Sequence, residues 1–250
     1  MFKEQTDPGL NEYSNLTLSE IVRNNFHAAA VFEKYHLDFC CNGKRTIAEA
    51  CTEKGINPTN VIKDLNQLNL SNNSGNFNPD QWNLDFLIDY IINNHHTYVY
   101  RMLPVLNAHT QKIAAVHGSN HPELKRVAEV FAEVNNEMKH HLMKEERILF
   151  PHIKLLVKNN AEKTMMEKPY FGTIKSPITM MENEHQSAGD EMFEIRKLTN
   201  NYTPPEDACN TYRICFQELK EFEEDLHKHV HLENNILFPK AIKMEEELFT

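Results

Sequence analysis

Two stretches of this chain, 88 residues apart, carry the same string of chemistry. Glu137-x-x-x-His141-x-x-x-Glu145 leads into Ile-Leu-Phe-Pro151, and Asp225-x-x-x-His229-x-x-x-Glu233 leads into Ile-Leu-Phe-Pro239. Residues four apart share one face of an α-helix, so each string aims an imidazole and its flanking acids the same way. Helix is also what the composition favours: only 7 glycines, long polar-apolar stretches without β-branched alternation, and abundant Leu, Glu, Lys, Met and Asn. The chain is expected to be all-α.

The periodicity predicts four long helices at roughly 80–117, 122–158, 173–200 and 204–246. They are separated by His117-Gly-Ser-Asn-His-Pro122, by 158–172 and by Asn200-Asn-Tyr-Thr203. Thr203-Pro-Pro-Glu206 reads as the start of the last helix, with a capping residue, prolines in the first turn and an acid at the third position. Short connections make long amphipathic helices antiparallel neighbours, which gives an up-down-up-down four-helix bundle.

The first and third helices extend the repeat. His96 lies 45 residues before His141, and His185 lies 44 before His229. Together the four helices deliver four imidazole nitrogens and two carboxylates, from Glu145 and Glu233, to the bundle centre. Two carboxylates bridging a pair of metal ions, with neutral imidazoles around them, suit iron, manganese or zinc and leave positions free for a small molecule. With no thiolate in the set, iron is favoured over copper(I) or a structural zinc, although zinc outcompetes ferrous iron for such ligands in the Irving-Williams order. A single His-x-x-x-Glu is ordinarily a surface pair, whereas two in register, each preceded by a histidine, point to a di-iron centre.

Neighbours compete for these roles. His95, His140, His227 and His231 sit beside the candidate ligands, but only His141 and His229 have an acid four residues before and a Glu four residues after. Glu137 and Asp225, one turn before the ligand histidines, read equally as acceptors behind the metal, as the lining of a path to it, or as solvated charges. Glu184, beside His185, stands in the same position. Pro104, Pro151 and Pro239 read as kinks or helix stops. Met143, Met165, Met166, Met180 and Met181 read as core filler.

Upstream, Thr17-x-x-Glu20 and Thr46-x-x-Glu49 are capping boxes, and Pro58 opens a third helix running to about Leu70. Turn formers from Leu70 to Pro79 then read as a linker. The expected organisation is a tail (1–15), a small helical cysteine-containing domain (16–72), a linker (73–80) and the bundle (81–250). The adjacent Cys40 and Cys41 precede an Asn-Gly turn, Lys44, Arg45 and the helix opened at Thr46. These surroundings are expected to favour thiolate and a redox or metal-handling role, against the alternative of two buried small hydrophobes.

A net charge of -10 with no clustered Lys and Arg argues against a nucleic-acid partner. No signal-peptide pattern and no 18-residue apolar run are present, and five cysteines are an odd number, so a membrane-free, reducing, cytoplasmic setting is expected.

Several of these strings together resemble a known family, the iron-sulfur cluster repair di-iron proteins (repair of iron centres, RIC), from about Leu16 to Ala241. The motifs are Asp38-Phe-Cys-Cys-Asn-Gly-Lys44, Met143-Lys-Glu-Glu-Arg-Ile-Leu-Phe-Pro151, Met181-Glu-Asn-Glu-His-Gln-Ser-Ala-Gly189, Thr203-Pro-Pro-Glu206 and Leu232-Glu-Asn-Asn-Ile-Leu-Phe-Pro239. The resemblance implies a hemerythrin-like bundle with His96, His141, Glu145, His185, His229 and Glu233 on two irons, the glutamates bridging. It also implies a cytoplasmic homodimer that restores iron-sulfur proteins damaged by nitric oxide or peroxide, by donating iron. Reduction of nitric oxide at the di-iron site, or sensing of nitric oxide or oxygen, are the alternatives. One departure stands out: family members often carry a histidine three residues after the first ligand, where this chain has Val99.

Overall fold

The computed structural model describes residues 13, 15–71, 78–164 and 169–249. Nearly all of the expected tail, most of the expected linker, Met165 and Met166 lie outside the described residues. Every regular element among the described residues is helical, apart from one isolated antiparallel bridge between Thr17 and Thr46. The chain forms two compact units, one running to Trp82 and including Val230–Ile236, the other comprising Asn83–His229 and continuing from Leu237.

The first unit contains α1 (Leu18–Asn24), α2 (Ala28–Lys34), α3 (Ile47–Lys54) and α4 (Pro58–Ser71). Both expected capping boxes form: the Thr17 hydroxyl accepts from the Glu20 amide at 3.3 Å while the Glu20 carboxylate accepts from the Thr17 amide at 2.8 Å, and Thr46 with Glu49 repeats the pattern. α2 has no side-chain cap to announce it and forms because Ala28, Ala29, Val31 and Phe32 bury one face. The Asn-Gly turn packs against the start of α1, with the Ser19 amide donating to Gly43 O at 2.9 Å. A Cβ at Gly43 would meet Phe39 O at 2.2 Å, so only glycine fits that approach.

The second unit is built on four long helices, the last of which contributes its stretch Val230–Ile236 to the first unit. α5 consists of Leu84–Tyr90, a π-helical segment Ile91–His96, and Thr97–His117. α6 consists of Glu123–Lys144, a π segment Glu145–Leu149, and Phe150–Glu162; α7 is Lys175–Leu198. α8 consists of Asn210–Leu232, a π segment Glu233–Leu237, and Phe238–Leu248. Paired contacts show that neighbours run antiparallel. Arg126 meets Glu194 while His141 meets Glu184 further along α6 and α7, and His109 meets Glu218 while His95 meets Asp225 along α5 and α8. Leu103, Leu106, Val127, Phe131, Val134, Ile195, Leu219 and Phe222 are fully buried at the apolar end of the bundle, where the rings of Phe131 and Phe222 meet at 5.7 Å.

Three expectations need correction. The last helix begins at Asn210 and not at 204, because a Pro-Pro step holds the first proline out of the helical region. Ala208 N closes a turn on Pro205 O at 3.1 Å, and Arg213 binds the loop's carbonyls. The prolines do not stop their helices: Pro104 lies inside α5, while Pro151 and Pro239 are each the second residue after a π segment, whose widened turn has room for a ring that an ordinary helix would clash with. Of the described methionines expected in the core, Met181 is buried, but Met180 is 51% exposed because it sits one residue off the buried face. The loop between α7 and α8, as expected at 200–203, holds three left-handed residues, Asn200, Asn201 and Tyr202. Buried Tyr202 donates its hydroxyl to Glu223 at 2.9 Å, and Glu223 also takes Arg196 at 2.8 Å.

Candidate metal centre

The repeat places its chemistry where the π segments lie. His96 ends one π segment, and Glu145 and Glu233 each begin one. In the first of these the Thr97 amide reaches back to Ile92 O, and in the second the Phe150 amide reaches back to Glu145 O, five residues each, which defines the wider turn. Such insertions recur at functional sites because they rotate the residues that follow relative to those before.

The structure brings all six sequence-derived residues together. His96, Glu145, His229 and Glu233 form one group and His141, Glu145, His185 and Glu233 a second, with the donor atoms in each lying within 4.8 Å of one another. Glu145 and Glu233 belong to both. His96 Nε2 faces His229 Nε2 at 3.1 Å, and His141 Nε2 faces His185 Nε2 at 2.9 Å. One Glu145 carboxylate oxygen lies 3.5 Å from His96 Nε2 and 3.4 Å from His141 Nε2. None of the six side chains is more than 2% exposed.

Two carboxylates behind the histidines set the tautomers. Glu146 accepts from His96 Nδ1 at 2.8 Å, and Glu184 accepts from His141 Nδ1 at 2.9 Å. With the proton held at Nδ1, each Nε2 turns a lone pair inward. The hydrogen bond from His141, with help from Lys144 and against the effect of burial, pulls the Glu184 carboxyl down to about 2. His96 and His141 thus turn Nε2 lone pairs toward Glu145, and neither oxygen of that buried carboxylate has a hydrogen-bond partner. Such a set costs free energy unless a cation lies among the donors. The residues fit a borderline divalent metal bound by nitrogen and oxygen.

The neighbours take other roles. Glu184 is an acceptor behind a candidate ligand, whereas Glu137 is exposed. Asp225 accepts from His95 Nδ1 at 3.0 Å, and the His95 ring stacks on His229 at 5.7 Å, so the acid acts through a histidine the repeat does not contain. Exposed His140 caps Asn136 O, and buried His231 lies against the Phe39 ring at 5.7 Å. Glu146 escaped the sequence reading because its counterpart in the repeat is Asn234; the only signal was its adjacency to Glu145.

In the first unit, the Asp38 carboxylate gathers the amides of Cys40, Cys41 and Asn42 at 3.0, 3.0 and 3.2 Å. The expected activation of this pair is not what surrounds Cys40. Its thiol is buried, lies 3.9 Å from Cys41 Sγ and 3.3 Å from Asp38, and these contacts push its pKa well above the ordinary value, the Cys41 hydrogen bond first and burial next. Arg45 does not offset this, being paired with Glu53. The Cys40 carbonyl accepts from Asn235 Nδ2 at 3.0 Å.

No helix among the described residues is long and apolar enough to cross a membrane. Residues 87–241 match the hemerythrin HHE cation binding domain, and residues 14–69 match a domain of unknown function, DUF542. The bundle is thus a cation-binding hemerythrin domain. The chain is similar to the iron-sulfur cluster repair protein YtfE of Yersinia pestis (strain Pestoides F), with 32% identity over 234 residues covering 94% of this chain and 100% of the relative. YtfE of Yersinia pseudotuberculosis serotype O:1b (strain IP 31758) matches with the same identity and coverage. With a DUF542 module, a hemerythrin bundle and near full-length similarity, the chain belongs to the YtfE family of iron-sulfur cluster repair proteins.

Proposed function

We propose that this protein repairs iron-sulfur clusters damaged by nitrosative or oxidative stress, and that its bundle centre holds two iron ions. His96 and His229 would bind one, His141 and His185 the other, with Glu145 and Glu233 bridging. The observation that carries this reading is the pair of donor groups sharing the same two buried carboxylates. When bound, the irons supply Lewis acidity and redox chemistry at a centre with coordination positions left for a small molecule.

The protein's own groups have definable tasks. Glu146 and Glu184 keep the Nδ1 protons of His96 and His141 in place, so that Nε2 stays a donor to the metal. Iron donation to a damaged cluster is the proposed mode of repair. The Cys40 turn has support for an assisting part, because Asn235, which binds the Cys40 carbonyl, lies two residues beyond Glu233 on the same π segment. Damaged iron-sulfur proteins are the proposed partners; the cytoplasmic homodimer rests on the family resemblance.

The test loads the protein with isotopically labelled iron, measures metal per chain with Mössbauer spectra, and mixes it with an iron-sulfur enzyme damaged by nitric oxide. About two coupled irons per chain, lost in Glu145→Ala and Glu233→Ala, with label recovered in the rebuilt cluster, is the expected result. Reactivation without label transfer would remove the donation step. Consumption of nitric oxide without reactivation would replace repair with gas reduction.

A further inference from the structure

Cys40 and Cys41 belong to the same compact unit as Val230–Ile236, the stretch of α8 that carries Glu233. Two contacts join them to it. Asn235 Nδ2 donates to Cys40 O at 3.0 Å, and the Phe39 ring packs on His231 at 5.7 Å. Asn235 lies two residues past Glu233, on the π segment that Glu233 opens. From the other side, the Asp38 carboxylate accepts from the Cys41 amide at 3.0 Å. The Cys40 carbonyl and the Cys41 amide are two halves of one peptide group. That single group is therefore gripped by Asp38 at its nitrogen and by α8 at its oxygen.

We propose that Cys40 and Cys41 form a reversible disulfide, and that closing it loosens the π segment of α8 that carries Glu233, so that the bundle centre gives up its metal faster. The last step rests on the proposed role of Glu233 as a bridging ligand. The two sulfurs stand 3.9 Å apart, with Cys40 buried and Cys41 half-buried. The hydrogen bond with Cys41 and burial keep Cys40 a thiol, so an oxidant meets Cys41 first. With a peroxide, the Cys41 sulfur attacks one oxygen, the O–O bond breaks, and a sulfenic acid and one water result. The Cys40 sulfur then attacks Cys41 Sγ, the S–O bond breaks, and the hydroxyl leaves with the second thiol proton as water. Two thiols and one peroxide thus become one disulfide and two waters. Adjacent Cα atoms stand about 3.8 Å apart across a trans peptide, short of the roughly 4.4–6.8 Å that a disulfide ordinarily spans. Closing the ring therefore turns the Cys40–Cys41 peptide group and pulls its carbonyl off Asn235. Disulfides under such constraint are readily reduced, which suits a switch. By linkage, metal held at Glu233 would in turn resist closure of the disulfide.

The experiment treats the full-length, iron-loaded protein under anaerobic conditions with diamide, a two-electron thiol oxidant that is itself reduced to a hydrazine. Mass spectrometry is expected to find the peptide holding Cys40 and Cys41 lighter by two hydrogens. Release of iron to a ferrous chelator is expected to quicken about fivefold, the worth of one net hydrogen bond, and to slow again with dithiothreitol. Cys40→Ser/Cys41→Ser is expected to hold iron like the reduced parent and to ignore diamide; a response through exposed Cys209 would persist in it. Asn235→Ala, checked for folding by circular dichroism, is expected to release iron about fivefold faster than the reduced parent and to gain nothing on oxidation. Amide hydrogen exchange over 233–237 in the metal-free protein is expected to speed up on oxidation of the parent and not of Asn235→Ala. Absence of the Cys40–Cys41 disulfide, unchanged exchange over 233–237, unchanged release from a loaded centre, a full response in Asn235→Ala, or a response in the double serine variant would each overturn the proposal. Disulfide and exchange responses in a chain that binds no iron would support the link from Cys40 to α8 while refuting the metal centre itself.

Discussion

Replacing Glu145 with glutamine should move stability in opposite directions with and without metal. In the metal-free protein the Glu145 carboxylate is fully buried, has no hydrogen-bond partner on either oxygen, and faces the inward lone pairs of His96 and His141. A buried charge so placed costs several kcal/mol, whereas an amide of the same shape costs about 1–3 kcal/mol when partly paired and can donate to a facing Nε2. Glu145→Gln should therefore stabilise the metal-free protein by about 1–3 kcal/mol, or about 2–4 °C in Tm per kcal/mol for a chain of this size. With metal the sign reverses, because native-state binding at a thousandfold excess over Kd contributes about 4 kcal/mol that the variant forfeits. The assay is calorimetric unfolding in mildly alkaline buffer, with chelator and then with ferrous iron under anaerobic conditions. A lower Tm for the metal-free variant would refute the reasoning, since it would mean that Glu145 is stabilised by protonated histidines and that the cluster is a polar core.

Glu146→Gln and Glu184→Gln should each weaken metal binding about 10–100-fold, measured by competition with a chromophoric chelator, because each replaces the charged acceptor behind an inward-facing histidine with a weaker neutral one. Glu223→Gln should destabilise the second unit by about 3–5 kcal/mol in urea unfolding, since it removes the carboxylate charge that buried Arg196 pairs with. Burial lowers the pKa of His152 from its ordinary 6.5. The unfolded chain therefore takes up that proton first, and stability is lost as pH falls below about 6.5. His152→Leu should flatten this part of the pH–stability curve, and an unchanged slope would show that other groups set it.

What the chain alone determined is a matter of period and repetition. Residues four apart share a helical face wherever the helix lies, so His141 with Glu145 and His229 with Glu233 were legible, and the 88-residue offset made His96 and His185 legible with them. The capping boxes at Thr17 and Thr46 were equally local, because their hydrogen bonds span three residues. Tertiary structure decided what periodicity does not encode. A π segment breaks the 3.6-residue register at the point where the candidate ligands sit. The partners of His96 and His141, the stacking of His95 on His229, and the hold of Asp225 on His95 all cross between helices separated by 40 or more residues in sequence. At Cys40 the nearby cations pointed one way, yet the hydrogen bond with Cys41, burial and Asp38 prevailed, because a thiol responds to the dielectric and the polar groups that surround it in space. The helix expected at 204 started at Asn210 for a similar reason: the loop's hydrogen bonds to Arg213 and the buried Tyr202 anchor outweighed the capping pattern of Thr203 to Glu206.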